Sequence, residues 1–303
     1  MATNFNNGKS LNECISDVMT AKSTKASKRR ELIKLGLCEH EITMMLGAII
    51  VERKERSKFD FRSLTFGVEI ECYNITRDSL INYANAKGLQ IQSEGYNHRD
   101  NNRYYKIVSD ASIQGSGANE IVSPVLNGGS VKNSLKKICD ALAECQARVN
   151  RSCGLHVHIG AAMMSDEHYC RIVRNYQKLE LAIDSFMPSS RRASNNGYCR
   201  SLTGLNFRNC STKRDIREIL DSRYFKVNAK AYERHQTIEF RQHSGSTDYE
   251  KIMHWVVFLA KLVEYSYKNE CRECWRIEEI PFLTESEKQY FIERRETLRT
   301  ATI

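Results

Sequence analysis

Three short segments of the chain each place two polar side chains at positions i and i+2 within an otherwise apolar run. They are Phe66-Gly-Val-Glu69-Ile-Glu71, Cys153-Gly-Leu-His156-Val-His158-Ile159 and Thr237-Ile-Glu239-Phe-Arg241-Gln-His243. Alternate residues of a β-strand point to the same face of the sheet, so each segment predicts a strand with one apolar and one polar face. If the three strands share a sheet, its polar face carries carboxylates, imidazoles and a guanidinium. Such a face is typical of a site for cations and phosphate groups.

The segments between these strands alternate between strand and helix patterns. The first of the three strands is predicted to span 64–73, further strands are predicted at 119–126 and 224–232, and helices are predicted at 130–149, 165–188, 213–222 and 250–267. Ser130 and Ser165 are the expected helix caps. Signals for parallel strand–helix–strand units are few. We therefore expect an α+β fold in which helices pack on one face of a mostly antiparallel, curved sheet.

A charged stretch at residues 52–63 predicts a boundary between an N-terminal region, 1–62, and a larger domain, 63–303. The N-terminal region contains a basic run from Lys22 to Lys34 in which Glu31 is the one acidic residue. Residues 27–46 show two helical patterns joined at Gly36, which resembles a helix-turn-helix but equally fits a plain helical hairpin. The basic run predicts a nucleic-acid or acidic protein partner, with a solvated helix face as the open alternative.

Composition argues against a membrane protein and against a disulfide-rich secreted domain. No apolar run approaches the ~20 residues that a membrane span requires, and residues 1–15 lack the apolar core of a secretory signal. Eleven cysteines are scattered without paired spacing, which favours reduced thiols in a cytoplasmic chain. The close pair Cys271 and Cys274 is expected to be structural.

The polar residues of these strands favour a particular metal chemistry. Carboxylate oxygens with one imidazole suit Mg²⁺ or Mn²⁺ better than zinc. Buried carboxylates repel one another strongly unless cations neutralise them. Phosphoryl transfer also requires a metal site beside a positive group such as Arg241. Because the chain lacks a complete phosphate-binding loop at Gly8-Lys9-Ser10, we expect any nucleotide to be held by metal and arginine.

Four motifs occur along the chain in a recognisable order. They are residues 66–71, Glu120-Ile-Val-Ser-Pro124, residues 153–159 and residues 237–243. This set resembles the putative amidoligase family, a branch of the glutamine synthetase-like carboxylate–amine ligase superfamily, over roughly residues 64–268. The resemblance implies a glutamine synthetase-like catalytic domain that uses ATP and Mg²⁺ or Mn²⁺. It also implies amide formation through an acyl phosphate, from amine and carboxylate substrates that are small molecules, peptides or proteins.

The resemblance also assigns roles to individual positions. The implied metal ligands are Glu69, Glu71, Glu120, His156 and Glu239. The implied catalytic residues are Arg241, His158 and Glu239, of which His158 and Arg241 also contact phosphate. A softer likeness assigns phosphate or substrate contacts to Arg191 or Arg192, with Asn196 and Tyr198. Asp110-Ala-Ser112 departs from the Asp-Gly-Ser of relatives, and alanine lacks the positive-φ freedom of glycine, so Asp110 receives no role from the sequence.

Two other function classes remain open at this point. A different metal enzyme, such as a hydrolase or a cupin-like site built on His156 and His158, would bind zinc or iron tightly. The cupin alternative needs a glutamate soon after His158, and Glu167 is too far along the chain. A nucleic-acid-binding regulator would instead depend on the basic residues 20–50 and would bind DNA in a salt-dependent manner.

Overall fold

The computed structural model describes residues 11–35, 37, 42, 46, 64–95 and 101–300. The chain divides into two compact units, Met1–Ser63 and Leu64–Ile303. Within the described ranges, none of the helices combines the length and the apolar character needed to cross a membrane.

The N-terminal unit contains two described helices, α1 (Leu11–Thr20) and α2 (Lys25–Lys34). Thr24 caps α2, because its side chain accepts a hydrogen bond from a backbone N–H of the first turn. A small apolar cluster is formed by Leu32, Ile42 and Leu46. Gly36 and most of the second helix of the predicted hairpin lie outside the described residues, so the helix-turn-helix likeness stays a prediction.

The larger unit is built on one eight-stranded sheet. Its strands are β1 (Thr65–Cys72), β2 (Ile91–Ser93), β3 (Tyr105–Val108), β4 (Asn119–Val122), β5 (Leu126–Asn127), β6 (Leu155–Gly160), β7 (Val227–Asn228) and β8 (Thr237–Phe240). The order across the sheet is β2-β3-β4-β1-β6-β8-β7, and β5 pairs with β1. The pairings are antiparallel except that of β2 with β3. This confirms the α+β class and the mostly antiparallel sheet.

Seven described α-helices accompany the sheet. They are α3 (Arg77–Ala86), α4 (Val131–Glu144), α5 (Asp166–Ser185), α6 (Lys213–Ile219), α7 (Ala231–His235), α8 (Tyr249–Tyr265) and α9 (Glu285–Thr300). Ser165 caps α5 as predicted, accepting a hydrogen bond from His168 N. Ser130 precedes α4, but its side chain makes no capping bond; its hydroxyl donates to the carbonyl of Asn127 instead.

The core lies on the apolar face of the sheet. Val68, Ile70, Val157 and Phe240, which alternate with the polar residues, are at most 1% exposed. The ring of Tyr176 in α5 lies 5.5 Å from that of Phe240, and α8 contacts β6, α4 and α5. Full burial of one such apolar side chain stabilises the fold by roughly 1.5–3 kcal/mol. This packing fixes the strand register, and with it the positions of the polar side chains on the other face.

Several predicted elements differ from the structure. The predicted strand 224–232 is wrong, since only Val227–Asn228 forms a strand of the sheet and the chain then turns into α7. The predicted strand 119–126 is split into β4 and β5, because Pro124 has no N–H to contribute to the ladder. Val149 lies beyond the end of α4 and is 38% exposed. The two short strands β2 and β3 and the helices α3 and α9 were not predicted.

Candidate metal and phosphate site

The strand register brings the predicted polar residues together. Glu71 pairs with Glu120 across β1 and β4. Glu69 pairs with His156 across β1 and β6. His158 pairs with Glu239 across β6 and β8. Residues that are directly opposite in antiparallel strands project to the same face, so the six side chains from four strands form one cluster.

Distances within this cluster are short. His156 Nδ1 lies 3.0 Å from Glu69 Oε2, and its Nε2 lies 3.5 Å from Glu71 Oε1. His158 Nε2 lies 3.3 Å from Glu69 Oε1 and 3.8 Å from Glu239 Oε2. All five side chains are largely buried, and only that of Glu69, at 23%, is more than 11% exposed. The two oxygens of Glu69 therefore face two different histidines.

Three groups of ligand atoms in this cluster lie within 4.8 Å of one another. The groups are Glu69 with His158 and Glu239, Glu69 with Glu120 and His156, and Glu71 with Asp110 and Glu120. Two carboxylates, Glu69 and Glu120, belong to two groups each. The predicted metal ligands are thus adjacent, and Asp110 joins them although the sequence assigned it no role.

Neighbouring groups hold the ligand side chains in orientation. The hydroxyl of Thr237 lies 2.9 Å from His158 Nδ1, which leaves Nε2 facing the carboxylates. The backbone N–H of Gly154 donates to Glu71 Oε2 at 2.6 Å, and Asn228 Nδ2 donates to Glu239 Oε2 at 2.5 Å. Such outer partners orient metal ligands and raise their affinity.

The charges in the cluster shift the pKa of several members. Burial acts to raise the pKa of Glu69, but the neighbouring His158 and His156 hold it well below its usual value. Burial likewise opposes ionisation of Glu239, whose pKa is lowered by Arg241 and His158. Burial acts to lower the pKa of Arg241, but Glu239 raises it. These three groups are charged at neutral pH.

Two other members have a raised pKa. Burial, reinforced by the negative charges of Glu69 and Glu71, raises the pKa of Glu120 well above its usual value. Burial acts to lower the pKa of His158, but Glu239 and Glu69 raise it to about 9. Protons on Glu120 and His158 therefore offset part of the negative charge, and a bound cation would compete with both.

The donor set fits divalent cations. Nε2 of His158 is buried, makes no hydrogen bond and faces two carboxylates. Oδ1 of Asn228, whose amide nitrogen holds Glu239, is also buried without a partner. Buried polar atoms are nearly always satisfied, so these orphan atoms indicate a missing ligand. Carboxylate oxygens with imidazole nitrogens suit Mg²⁺ or Mn²⁺.

Two arginines lie beside the ligand groups. Arg241 Nη1 donates to Glu239 Oε1 at 2.6 Å. Arg191 is 3% exposed, and its Nη2 donates to the carbonyl of Cys153 at 2.5 Å. Arg191 Nη1 lies 3.9 Å from Cys199 Sγ, and its Nε has no hydrogen-bond partner. Among the described residues no carboxylate forms an ion pair with Arg191, so its charge is available to an anionic ligand.

The cluster lies in a cleft of about 1080 Å³, at the upper end of the range for small-molecule sites. Arg191, Arg241, Asn196 and Tyr198 line the cleft, as does a basic group formed by Lys230, Arg234 and His235. Arg192 does not line it; its Nε donates to the carbonyl of Met187 at 2.7 Å. Of the two arginines that the sequence offered, Arg191 therefore lines the cleft and Arg192 does not, and contact with phosphate stays a prediction.

Sequence reasoning missed three residues of the site. Asn228 lies opposite Glu239 in the sheet, but its strand is two residues long and carries no alternating pattern. Asp110 follows β3, whose residues are all buried and so show no period of two. Thr237 was part of a recognised motif, yet its bond to a histidine of β6 depends on the register between strands.

Comparison with known proteins gives one family. A family model described as a putative amidoligase enzyme matches residues 62–263, about two thirds of the chain. This span includes the four motifs and every residue of the ligand groups. No curated protein matches the chain.

Proposed function

The chain belongs to the putative amidoligase enzyme family, and from that premise we propose that it is an ATP-dependent carboxylate–amine ligase. The observation that carries the proposal is the set of three overlapping ligand groups beside two arginines in one cleft. Phosphoryl transfer needs this combination, because its catalysis consists largely of positioning and of neutralising phosphate charge. The ten described cysteines are free thiols, eight of them buried, which is in keeping with a cytoplasmic location.

We assign the cation site to the seven residues of the three ligand groups. They are Glu69, Glu71, Glu120, His156 and Glu239, which the resemblance implied, together with Asp110 and His158. Bound Mg²⁺ or Mn²⁺ would neutralise phosphate oxygens of ATP and polarise the transferred group. The ring of His158 also lies 5.8 Å from that of His235, in the basic group of the cleft, so His158 can contact the nucleotide phosphates as well.

The proposed reaction has two steps. An oxygen of the substrate carboxylate attacks the γ-phosphorus of ATP, which forms an acyl phosphate and releases ADP. The amine then attacks the acyl carbon, phosphate leaves, and the nitrogen loses a proton to complete the amide. Arg241 and Arg191 supply positive charge to the transferred phosphoryl group and to the leaving phosphate. The amine and carboxylate substrates are small molecules, peptides or proteins.

The first experiment measures thermal stability with Mg²⁺ and a non-hydrolysable ATP analogue. A ligand that binds the folded state alone stabilises it by roughly 2.7 kcal/mol at a hundredfold excess over Kd. We expect this rise in the parent protein and its loss in Glu69→Gln and Glu239→Gln, which keep the side-chain shape but remove a ligand charge. Glu250→Gln, an exposed position on α8, is the matched control and should behave as the parent.

Two outcomes would contradict the proposal. Equal nucleotide binding in the parent and both cluster variants would place the nucleotide elsewhere. Zinc or iron that copurifies at one equivalent and resists chelation, measured by mass spectrometry, would instead favour a hydrolase-like or other metal enzyme on the same face.

We also propose that the basic N-terminal unit binds an acidic macromolecular partner. Arg30 on α2 is exposed, and the Lys34 side chain is 71% exposed beside Glu31. Binding of short duplex DNA by the full-length protein, measured at increasing salt, tests the nucleic-acid alternative. Each phosphate contact contributes a slope of about −0.9 in log affinity against log salt, and Arg30→Glu should make the slope shallower.

A further inference from the structure

A buried ion cluster lies behind the two arginines of the cleft. The Lys226 side chain is fully buried, with Nζ 2.8 Å from Glu180 Oε1 and 2.6 Å from Asp184 Oδ1. Both carboxylates belong to α5. Removing three charges from water is costly, and an apolar trio of similar volume is often at least as stable. The cluster is therefore better explained by the geometry that it imposes than by stability.

The remaining carboxylate oxygens of the cluster hold one loop. We call residues 189–202 the arginine loop, since it carries Arg191 together with Asn196 and Tyr198. Asp184 Oδ2 accepts a hydrogen bond from Ala193 N at 2.8 Å. Glu180 Oε2 accepts one from Leu202 N at 2.8 Å. Ala193 has a φ of 46°, a left-handed conformation that a residue other than glycine seldom adopts. One helix thus fastens the loop near both of its ends.

The buried ion cluster is also connected to Arg241, the second arginine of the cleft. Gln242, the residue after Arg241, is fully buried and donates through Nε2 to Asp184 Oδ1 and, at 3.3 Å, to the carbonyl of Arg191. The backbone N–H of Arg241 donates to the carbonyl of Lys226 at 2.8 Å. Lys226 N in turn donates to the carbonyl of Arg200, in the arginine loop, at 2.9 Å. The backbone of both arginines is therefore connected by hydrogen bonds to the same buried ion cluster.

We propose that Glu180, Asp184, Lys226 and Gln242 are positioning residues that hold Arg191 and Arg241 at a fixed separation, so that the two guanidinium groups bind one anion together. This inference rests on the proposed function, in which that anion is the transferred phosphoryl group or the substrate carboxylate. Misplacement of a catalytic group by about 1 Å can reduce a rate by ~100-fold. These hydrogen bonds explain how Arg191, which lies in a loop, can be positioned as precisely as Arg241, which directly follows β8.

The test uses Gln242→Met, which keeps the side-chain volume but removes the links to Asp184 and to the Arg191 carbonyl. Tyr176→Phe is the matched control, because the Tyr176 hydroxyl donates to Gln242 Oε1 at 2.5 Å and, among the described residues, makes no hydrogen bond to either arginine. The readouts are the dissociation constant for inorganic phosphate in the presence of Mg²⁺ and the hydrogen exchange of peptides that span 189–202. We expect Gln242→Met to weaken phosphate binding about tenfold and to speed exchange in the loop, with Tyr176→Phe within about twofold of the parent.

A double-mutant cycle separates positioning from general destabilisation. In an Arg191→Ala background, Gln242→Met should cost less than about threefold in phosphate affinity, because the residue acts through the missing arginine. Equal costs in both backgrounds, unchanged loop exchange, or a parent that binds no phosphate would each overturn the proposal. If Gln242→Met proves too unstable, Asp184→Asn answers the same question. Failure of the parent to bind the Mg²⁺–nucleotide analogue, with the phosphate coupling intact, would overturn the proposed ligase function and leave the positioning role in place.

Discussion

Divalent-cation binding should strengthen markedly as the pH rises from about 6 to 9, because His158 must lose a proton before it can ligate a cation. Burial acts to lower the pKa of His158, yet the nearby Glu239 and Glu69 raise it to about 9. Its Nε2 faces those carboxylates at 3.3 and 3.8 Å and makes no hydrogen bond. Below its pKa the proton on this ring occupies the position that a cation would take.

The size of the effect on cation affinity follows from the difference between the pKa of His158 and the pH of the measurement. With a pKa of about 9, roughly 1% of His158 is neutral at about pH 7, so cation affinity through this ring falls ~100-fold, or ~2.7 kcal/mol. The apparent affinity should therefore rise about tenfold per pH unit until the pKa is reached. Glu120, whose pKa is raised by burial and by Glu69 and Glu71, carries a second proton that competes with the cation.

The assay is a calorimetric titration of the full-length protein with Mn²⁺ in pairs of buffers that differ in ionisation enthalpy, which counts the protons released. We expect at least one proton to be released per cation near about pH 7.5 in the parent and one proton fewer in His158→Gln. His254→Gln is the control, since burial lowers the pKa of His254 and the ring carries no proton in this range. A pH-independent affinity, or an unchanged proton count in His158→Gln, would refute the reasoning.

Other predictions follow from the packing around the site. Gly154→Ala would place its Cβ 2.7 Å from His156 Nε2. We expect this variant to keep its fold and to bind Mn²⁺ at least tenfold more weakly in the same titration. Gly197→Ala is the control, because its Cβ would meet nothing within 4 Å, and it should bind Mn²⁺ as the parent does. Leu259→Ala removes a fully buried side chain of α8 and should cost roughly 2–5 kcal/mol in urea unfolding. Leu181→Ala, at a position 52% exposed, should stay within about 0.5 kcal/mol, and equal costs would contradict the assigned core.

The three polar pairs could be recognised from the sequence because strand geometry is local. A period of two assigns Glu69 and Glu71 to one face whatever the rest of the chain does. Their strands are also strongly apolar on the other face, which fixes which side is buried. The structure accordingly places both glutamates and the two histidines of β6 in one cluster.

The parts of the site that the sequence did not reveal depend on contacts between distant segments. Asn228 and Asp110 join the cluster through strand order and loop path, for which a single sequence carries no local signal. The segment 224–232 is predicted from the sequence as one strand. The structure instead uses two residues for pairing and places Lys226 in the buried ion cluster, a tertiary demand that overrides local β-propensity.

The arrangement of Glu69 bears on how many cations the face can hold. Its Oε2 lies 3.0 Å from His156 and its Oε1 lies 3.3 Å from His158, so each oxygen belongs to a different ligand group. A single carboxylate that is split in this way can serve two cations at once, one through each oxygen. Each cation would lower the repulsion among the carboxylates, but it would also reduce their attraction for another cation, so the second cation should bind more weakly than the first. The register that sets Glu69 opposite His156, with His158 two residues further along β6, is therefore what places the two oxygens of one carboxylate in two different ligand groups.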